Sequence, residues 1–458
     1  MKTSFANIMK FTAICAMVTS IGLTSTFGSA SAAPAAKPLP VKANAIQTIE
    51  FKTDDKFEDL KFLKKAIGDK RIVMLGESSH GAAEFNKSKA RMVQFLHKEM
   101  GFNVLAFESG LGDASGTYAG ISKLTAEETL RKSIYPVWHA KEMVPLYDYI
   151  KQQSTTKQPL ILTGFDMQPN GAFGRFMETW FAPIDKAFAE EAKTLENKLT
   201  DIYFNIDWDQ KDWDKDYAYV LDGYTKIQKF IAAHEAELQK DFPNDKTILP
   251  IMKRVISDRI YMIQNVLKAQ VAYNNLTVEN YVVSTSLREN VAYLRDEMMA
   301  NTLTWLVDHV YKDQKVIVWG HNYHLRKNNS VMASPVQLHL YEGGSVPNMG
   351  ELMSSRLKQQ SYTIGLFMYG GATGANNDGS AMPVNAEMGP NSLETILKGA
   401  GKPYAFFDLT SADNKEWKNS MHTGLYWGML EEPFVPSEQY DGILFIEKTT
   451  PSAYLPKK

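Results

Sequence analysis

Four short apolar runs, each leading into a charged or imidazole side chain, constrain this chain more than any other feature. Ile72–Leu75 breaks at Gly76 and runs into Glu77-Ser78-Ser79-His80-Gly81. Asn103–Phe107 runs into Glu108, Pro159–Thr163 into Gly164-Phe165-Asp166, and Lys315–Trp319 into Gly320-His321-Asn322-Tyr323-His324. Apolar runs of this length bounded by turn residues read as buried strands. Helical spacing follows the first, from Ala83 to Glu99, and Gly101 marks its end. Thr125 and Glu128 match a capping box ahead of another helix, and a further one is read over Glu142–Gln152. This alternation predicts an α/β fold: a mostly parallel central sheet flanked by helices. The ends of parallel strands share one edge, where such sheets bind ligands. Glu77, His80, Glu108, Asp166, His321 and His324 would then meet in one crevice.

From about Phe173 to Val310 the texture changes. Tyr224, Ile227, Ile231 and Leu238 form one helical stripe; Ile256, Ile260, Ile263, Leu267 and Val271 form a second; Met299, Leu303, Leu306 and Val310 form a third. Three or four long helices are predicted as an insertion over 173–312. It separates the first half of the α/β unit (46–172) from the second (313–458). Strands are predicted again at Tyr362–Met368, Tyr404–Asp408 and Gly442–Glu447, with a surface loop over Gly370–Pro390. Near the start, Leu60, Leu63 and Ile67 suggest a short amphipathic helix over Phe57–Ile67.

The first 45 residues read differently. Lys2 and Lys10 precede an apolar stretch, Phe11–Phe27, and Ala30-Ser31-Ala32 fits a small-residue cleavage site. Residues 1–32 are expected to be a signal peptide, leaving a secreted chain without stable membrane association. The intact mass of exported protein tests this. Ala33–Ala45, rich in Ala, Pro and Lys, reads as a linker. The one cysteine, Cys15, lies in the leader, so the remaining chain has neither disulfide nor thiol nucleophile. A net charge of -2 gives nucleic-acid binding no electrostatic support.

Several chemistries are disfavoured by pattern. Gly76-Glu77-Ser78-Ser79-His80 has His where a nucleophile elbow needs its second Gly, so Ser78 is a poor nucleophile. Phosphate-loop and dinucleotide fingerprints do not follow the first strand, and His-Glu-x-x-His is absent. An imidazole beside a carboxylate suits general-base chemistry near neutral pH. Glu77 could equally cap a helix, with His80 a loop residue. The His and Glu residues could also ligate a metal between them, or the crevice could simply hold a ligand such as haem or a glycan.

Gly76-Glu77-Ser78-Ser79-His80-Gly81-Ala82-Ala83-Glu84-Phe85 resembles the signature of the erythromycin esterase family. Glu108, Gly164-Phe165-Asp166-Met167-Gln168, Arg295-Asp296-Glu297-Met298-Met299-Ala300-Asn301, Val318-Trp319-Gly320-His321-Asn322-Tyr323-His324 and Met349-Gly350-Glu351-Leu352 are similar to its later blocks, in the same order. Ser78-Ser79 stands where many members have Ala-Thr or Gly-Thr; Ser79 keeps the hydroxyl. The resemblance implies hydrolysis of a small-molecule ester, in the best-known members a macrolide lactone, without metal or cofactor. It implies His80 as the base that draws a proton from water, with Glu77 and Glu108 orienting His80 or the water. Arg295 and His321 would stabilise the carbonyl oxyanion, and His324 would support the site. On its own pattern Arg295 could instead be a structural ion pair. Asp166 is expected to be structural, capping the next segment, and Glu351 to be either a site residue or part of a helix cap.

Overall fold

The computed structural model describes residues 41–205, 210–276, 282–376, 378–384 and 389–456. The signal peptide read over 1–32, Cys15 and the first part of the linker lie outside them. No helix among the described residues is long and apolar enough to cross a membrane.

Apart from a two-stranded ribbon of Leu340–Tyr341 and Gly344–Ser345, the strands among the described residues are β1 (Asn44–Ala45), β2 (Ile72–Leu75), β3 (Phe102–Gly110), β4 (Ile161–Asp166), β5 (Lys315–Trp319), β6 (Ser361–Gly374), β7 (Ala381–Pro383), β8 (Tyr404–Asp408), a separate hairpin of β9 (His422–Tyr426) and β10 (Leu430–Phe434), and β11 (Gly442–Thr449). The main sheet runs β1-β8-β11-β6-β2-β5-β3-β4, with β7 folded back on β6. From β11 to β4 every pairing is parallel. β8 is antiparallel to β11 and carries β1, the end of the linker stretch, on its outer edge.

Both faces of the sheet are covered, which is why its strands are apolar throughout rather than alternating. Ile72, Met74, Val104, Ala106, Val316 and Val318 face one core; Val73, Leu75, Leu105, Phe107, Ile317 and Trp319 face the other. The second core is closed by α1 (Phe62–Ile67), α2 (Ala83–Met100), α4 (Ala126–Ser133) and α5 (Val144–Gln153); α3 (Leu111–Ala119) follows β3. The capping box at Thr125 and Glu128 is present, opening α4.

The first core is continuous with the helical insertion. Its segments are α6 (Ala172–Phe181), α7 (Lys186–Phe204), α8 (Trp213–Ala233), α9 (Glu235–Lys240), α10 (Ile248–Asn265), α11 (Leu267–Asn274) and α12 (Val291–Trp305). The sequence stripes suggest fewer and longer helices because they continue across breaks. Leu238 lies beyond the break at His234, and Leu267 and Val271 beyond the break at Val266, yet all stay buried in the same core.

Three strands run past the ends expected from the sequence. β3 and β4 extend to Gly110 and Asp166, so Glu108 lies inside its strand, two residues before the end, and Asp166 is the last residue of its own. β6 continues to Gly374 through part of the predicted loop. Glycines make this possible: the Gly374 amide donates to the Gly81 carbonyl at 3.0 Å, and a Cβ on Gly81 would lie 2.0 Å from the Gly374 oxygen. The β9–β10 hairpin was not visible in the sequence pattern.

Gly164 shows how tightly β3 and β4 meet beside the crevice. A Cβ there would sit 2.2 Å from the Ser109 carbonyl oxygen, so the neighbouring backbone would have to shift. Gly164→Ala is expected to cost about 1–3 kcal/mol, as overpacking does. It should lower the denaturant midpoint without changing the slope; a midpoint equal to that of the unaltered chain would contradict the packing described.

Candidate active site

The turn after β2 is fixed by close backbone packing. A Cβ on Gly76 would lie 2.1 Å from Asn322 Oδ1, and Asn322 is itself held by the Leu366 backbone at 2.9 and 3.2 Å. Ser79 Oγ pairs with Thr373 Oγ1 at 2.6 Å, which keeps the hydroxyl structural. Ser78 Oγ is buried with no hydrogen-bond partner. The turn brings Glu77 and His80 together: His80 Nδ1 donates to Glu77 Oε1 at 2.7 Å.

Glu77 is fully buried, yet every lone-pair direction in use meets an N–H. Trp138 Nε1 donates to Oε1 at 2.7 Å, and Lys89 Nζ to Oε2 at 2.8 Å. Burial favours protonating this carboxyl, but the Lys89 charge and the hydrogen bond from His80 outweigh it and hold the pKa below the usual carboxylate value. Lys89 pays the complementary cost: burial lowers its pKa to about 8 against the pull of Glu77. Its ammonium also sits 4.1 Å from the Trp319 ring centroid.

His321 lies beside His80, with ring centroids 5.1 Å apart. Its Nδ1 accepts the Tyr323 amide at 3.1 Å, which puts the ring proton on Nε2. That Nε2 lies near the Ser78 backbone without a well-formed hydrogen bond. Burial, then the neighbouring His80, keeps the His321 pKa well below that of an ordinary imidazole. The two rings therefore present opposite faces of the same chemistry. His80, protonated at Nδ1 by its bond to Glu77, offers a lone pair at Nε2; His321 offers an Nε2–H.

A second network stands behind them. Glu108 Oε2 accepts the His321 amide at 2.8 Å, while Oε1 accepts Arg295 Nη2 at 2.9 Å and lies 3.2 Å from His324 Nε2. His324 Nδ1 donates to Asp296 Oδ1 at 2.8 Å. Burial opposes a charge on His324, but Asp296 and Glu108 prevail and raise its pKa to about 9. Arg295, on α12, forks onto Asp166, with Nε 3.1 Å from Oδ2. Burial opposes the Glu108 charge too, but the His324 and Arg295 cations hold its pKa well below the carboxylate range.

Glu77, His80, Glu108, His321 and His324 thus gather near the ends of β2, β3 and β5, with Asp166 at the end of β4 and Arg295 on α12 beside them. Glu77, not Glu108, contacts His80. Glu108 instead holds the His321 backbone, Arg295 and His324. Arg295 is ion-paired to Asp166, the structural role considered for it, and its side chain remains 19% exposed. Asp166 is that ion partner, besides accepting the Gln168 amide at 3.2 Å. Glu351 points away and binds Ser330, while Asn348 caps α14 (Met349–Leu352), which follows α13 (Asn322–Leu325).

Four residues escaped the sequence reading: Lys89, Trp138, Asp296 and Trp427. Asp296 stood inside the quoted Arg295 block. Lys89 sits in a helix whose buried face holds several polar residues. Trp427 joins β9 to β10, stacks on His321 at 4.8 Å and meets His80 edge-on at 5.1 Å. Among the described residues no three His, Cys, Asp or Glu side chains are placed to hold a metal ion.

The family profile described as Erythromycin esterase matches residues 97–449. The chain is 37% identical over 405 residues to the Bacillus subtilis (strain 168) protein named "Putative hydrolase YbfO", covering 87% of this chain and 88% of that one. It is 22% identical to erythromycin esterase type II of Escherichia coli, over 87% of this chain and 94% of the relative. In fold it is similar to an erythromycin esterase variant, EreC, solved in its open conformation, with a TM-score of 0.63 and 17% identity over 91% of this chain and all of that one. A profile spanning most of the chain, together with a relative matched over nearly its whole length, shows that this hydrolase belongs to the erythromycin esterase family.

Proposed function

We propose that the chain hydrolyses a carboxylic ester, using water activated by His80. The observation that carries this reading is a pair of hydrogen bonds, His80 Nδ1 to Glu77 and the Tyr323 amide to His321 Nδ1, which together set opposite tautomers on the two rings. His80 Nε2 takes a proton from water, and the resulting hydroxide attacks the ester carbonyl. The negative oxygen of the tetrahedral intermediate is received by His321 Nε2–H and the Arg295 guanidinium. Collapse breaks the bond to the leaving oxygen, which takes the proton held by His80. The products are an acid and an alcohol; for a lactone, one ring-opened hydroxy acid heavier by one water.

The neighbours have defined parts. Glu77 sets the His80 tautomer and balances the charge that His80 gains. Glu108, His324 and Asp296 hold Arg295 and the His321 backbone in place. A metal-dependent route fits this donor set less well, because the Glu77 and Glu108 oxygens are already engaged by N–H groups. The relatives named erythromycin esterases make a macrolide lactone one ester to test.

His80→Asn is expected to lower kcat by at least the 10²–10⁴-fold roughly attributed to general-base assistance. His321→Gln should lower it by about 10²–10³-fold, the usual loss of one oxyanion donor. Steady-state kinetics on an activated ester checks both; full activity in His80→Asn would end the proposal.

His324 gives a pH prediction. Its folded pKa, about 9, lies above the ordinary imidazole value of 6.5. Its contribution to stability is therefore complete below pH 6.5 and is lost as pH rises through about 9. Thermal melts of the parent and His324→Gln should converge across that window. A constant gap between them would show that His324 is not a buried cation.

A further inference from the structure

We propose that Trp427 sets the width of the ester site, so that the chain takes narrow, unbranched esters and disfavours bulky macrocyclic lactones. This rests on the reading of His80 and His321 above. A carbonyl attacked from His80 and held by His321 must lie against both rings. The Trp427 indole already packs on both, nearly parallel to His321 at 24° and almost perpendicular to His80 at 81°. Any acyl or alcohol group extending from that carbonyl meets the indole. The His80 and His324 side chains are each only 10% exposed.

The backbone shows that this ring is held there against a local preference. Trp427 and Gly428 have φ of +57° and +72°, and the Met429 amide donates to the Tyr426 carbonyl at 3.2 Å. These are the features of a tight hairpin turn with two left-handed residues, where Asn, Asp or Gly normally fills the first position. A tryptophan there is strained, and such strain persists only where surrounding packing imposes it.

That packing makes the indole a wall rather than a swinging lid. Buried Glu394 accepts the Leu425 amide on β9 at 2.8 Å, and buried Glu432 on β10 accepts Arg326 Nη1 at 2.8 Å. The Tyr426 ring meets His321 at 5.2 Å, and a Cβ on Gly428 would lie 2.5 Å from Met368 Cε. Both arms of the hairpin and its tip are thus fixed. The width of the site cannot adjust without disturbing buried groups.

The test compares kcat/KM for p-nitrophenyl acetate and for erythromycin in the full chain, Trp427→Asn and Trp427→Phe. Asn suits the left-handed turn and removes the ring; Phe keeps a smaller ring. The erythromycin-to-acetate ratio should rise at least about tenfold in Trp427→Asn and by less in Trp427→Phe, the scale of discrimination that apolar pocket contacts supply. Relief of the turn should also leave the melting temperature of Trp427→Asn at or above that of the parent. A ratio within about twofold of the parent in both variants would overturn the assignment to Trp427. Hydrolysis of neither probe by any of the three proteins would instead overturn the esterase reading on which it rests. If Trp427→Asn fails to fold, the ratio in Trp427→Phe alone decides: a rise supports the wall, and no rise overturns it.

Discussion

Glu77 is a carboxylate out of reach of water, and the chemistry of this site rests on its bond to His80 Nδ1. A buried anion is costly unless it is paired and hydrogen-bonded. Here Lys89 and Trp138 provide that pairing, which leaves Glu77 able to do one further thing: fix the imidazole proton on Nδ1. The lone pair at Nε2 follows from that single constraint. In the proposed reaction the Glu77 charge would also balance the imidazolium formed when His80 takes a proton, more strongly in a site screened from water than in solvent.

The sheet supplies the rest by geometry. β2, β5, β3 and β4 are adjacent and parallel, so their final residues share one edge although 149 positions separate the end of β4 at Asp166 from the start of β5 at Lys315, and α12 closes over them. Two charge networks result. Glu77 with Lys89 holds His80, and Glu108 with Arg295, His324, Asp296 and Asp166 forms the second, beside His321. The helical insertion is more than a cover, since α12 delivers both Arg295 and Asp296 to the site.

Much of this was legible in the chain itself, and the reason is physical. A strand buried on both faces must be apolar, so a Glu or His at its very end stands out and is placed by the sheet. That logic located Glu77, His80, Glu108, His321 and His324. It failed where position depends on packing between distant segments. Lys89 looked like any helix lysine until the turn folded Glu77 against it. Trp427 lies in a hairpin whose strands alternate too weakly to be seen, and its left-handed backbone leaves no mark beyond the following Gly428. Helix breaks at His234 and Val266 were hidden because the apolar stripe runs through them. The division of labour between Glu77 and Glu108 was beyond the sequence, since both end apolar strands and only register decides which one meets His80.

The central claim is that two neighbouring imidazoles carry opposite tautomers, one a base and the other a donor. Nitrogen-15 NMR of histidine-labelled protein, with His80 and His321 assigned by substitution, measures this directly. The account predicts a neutral His80 protonated at Nδ1 and a neutral His321 protonated at Nε2. Finding the proton of His80 on Nε2, or the same tautomer in both rings, would contradict it.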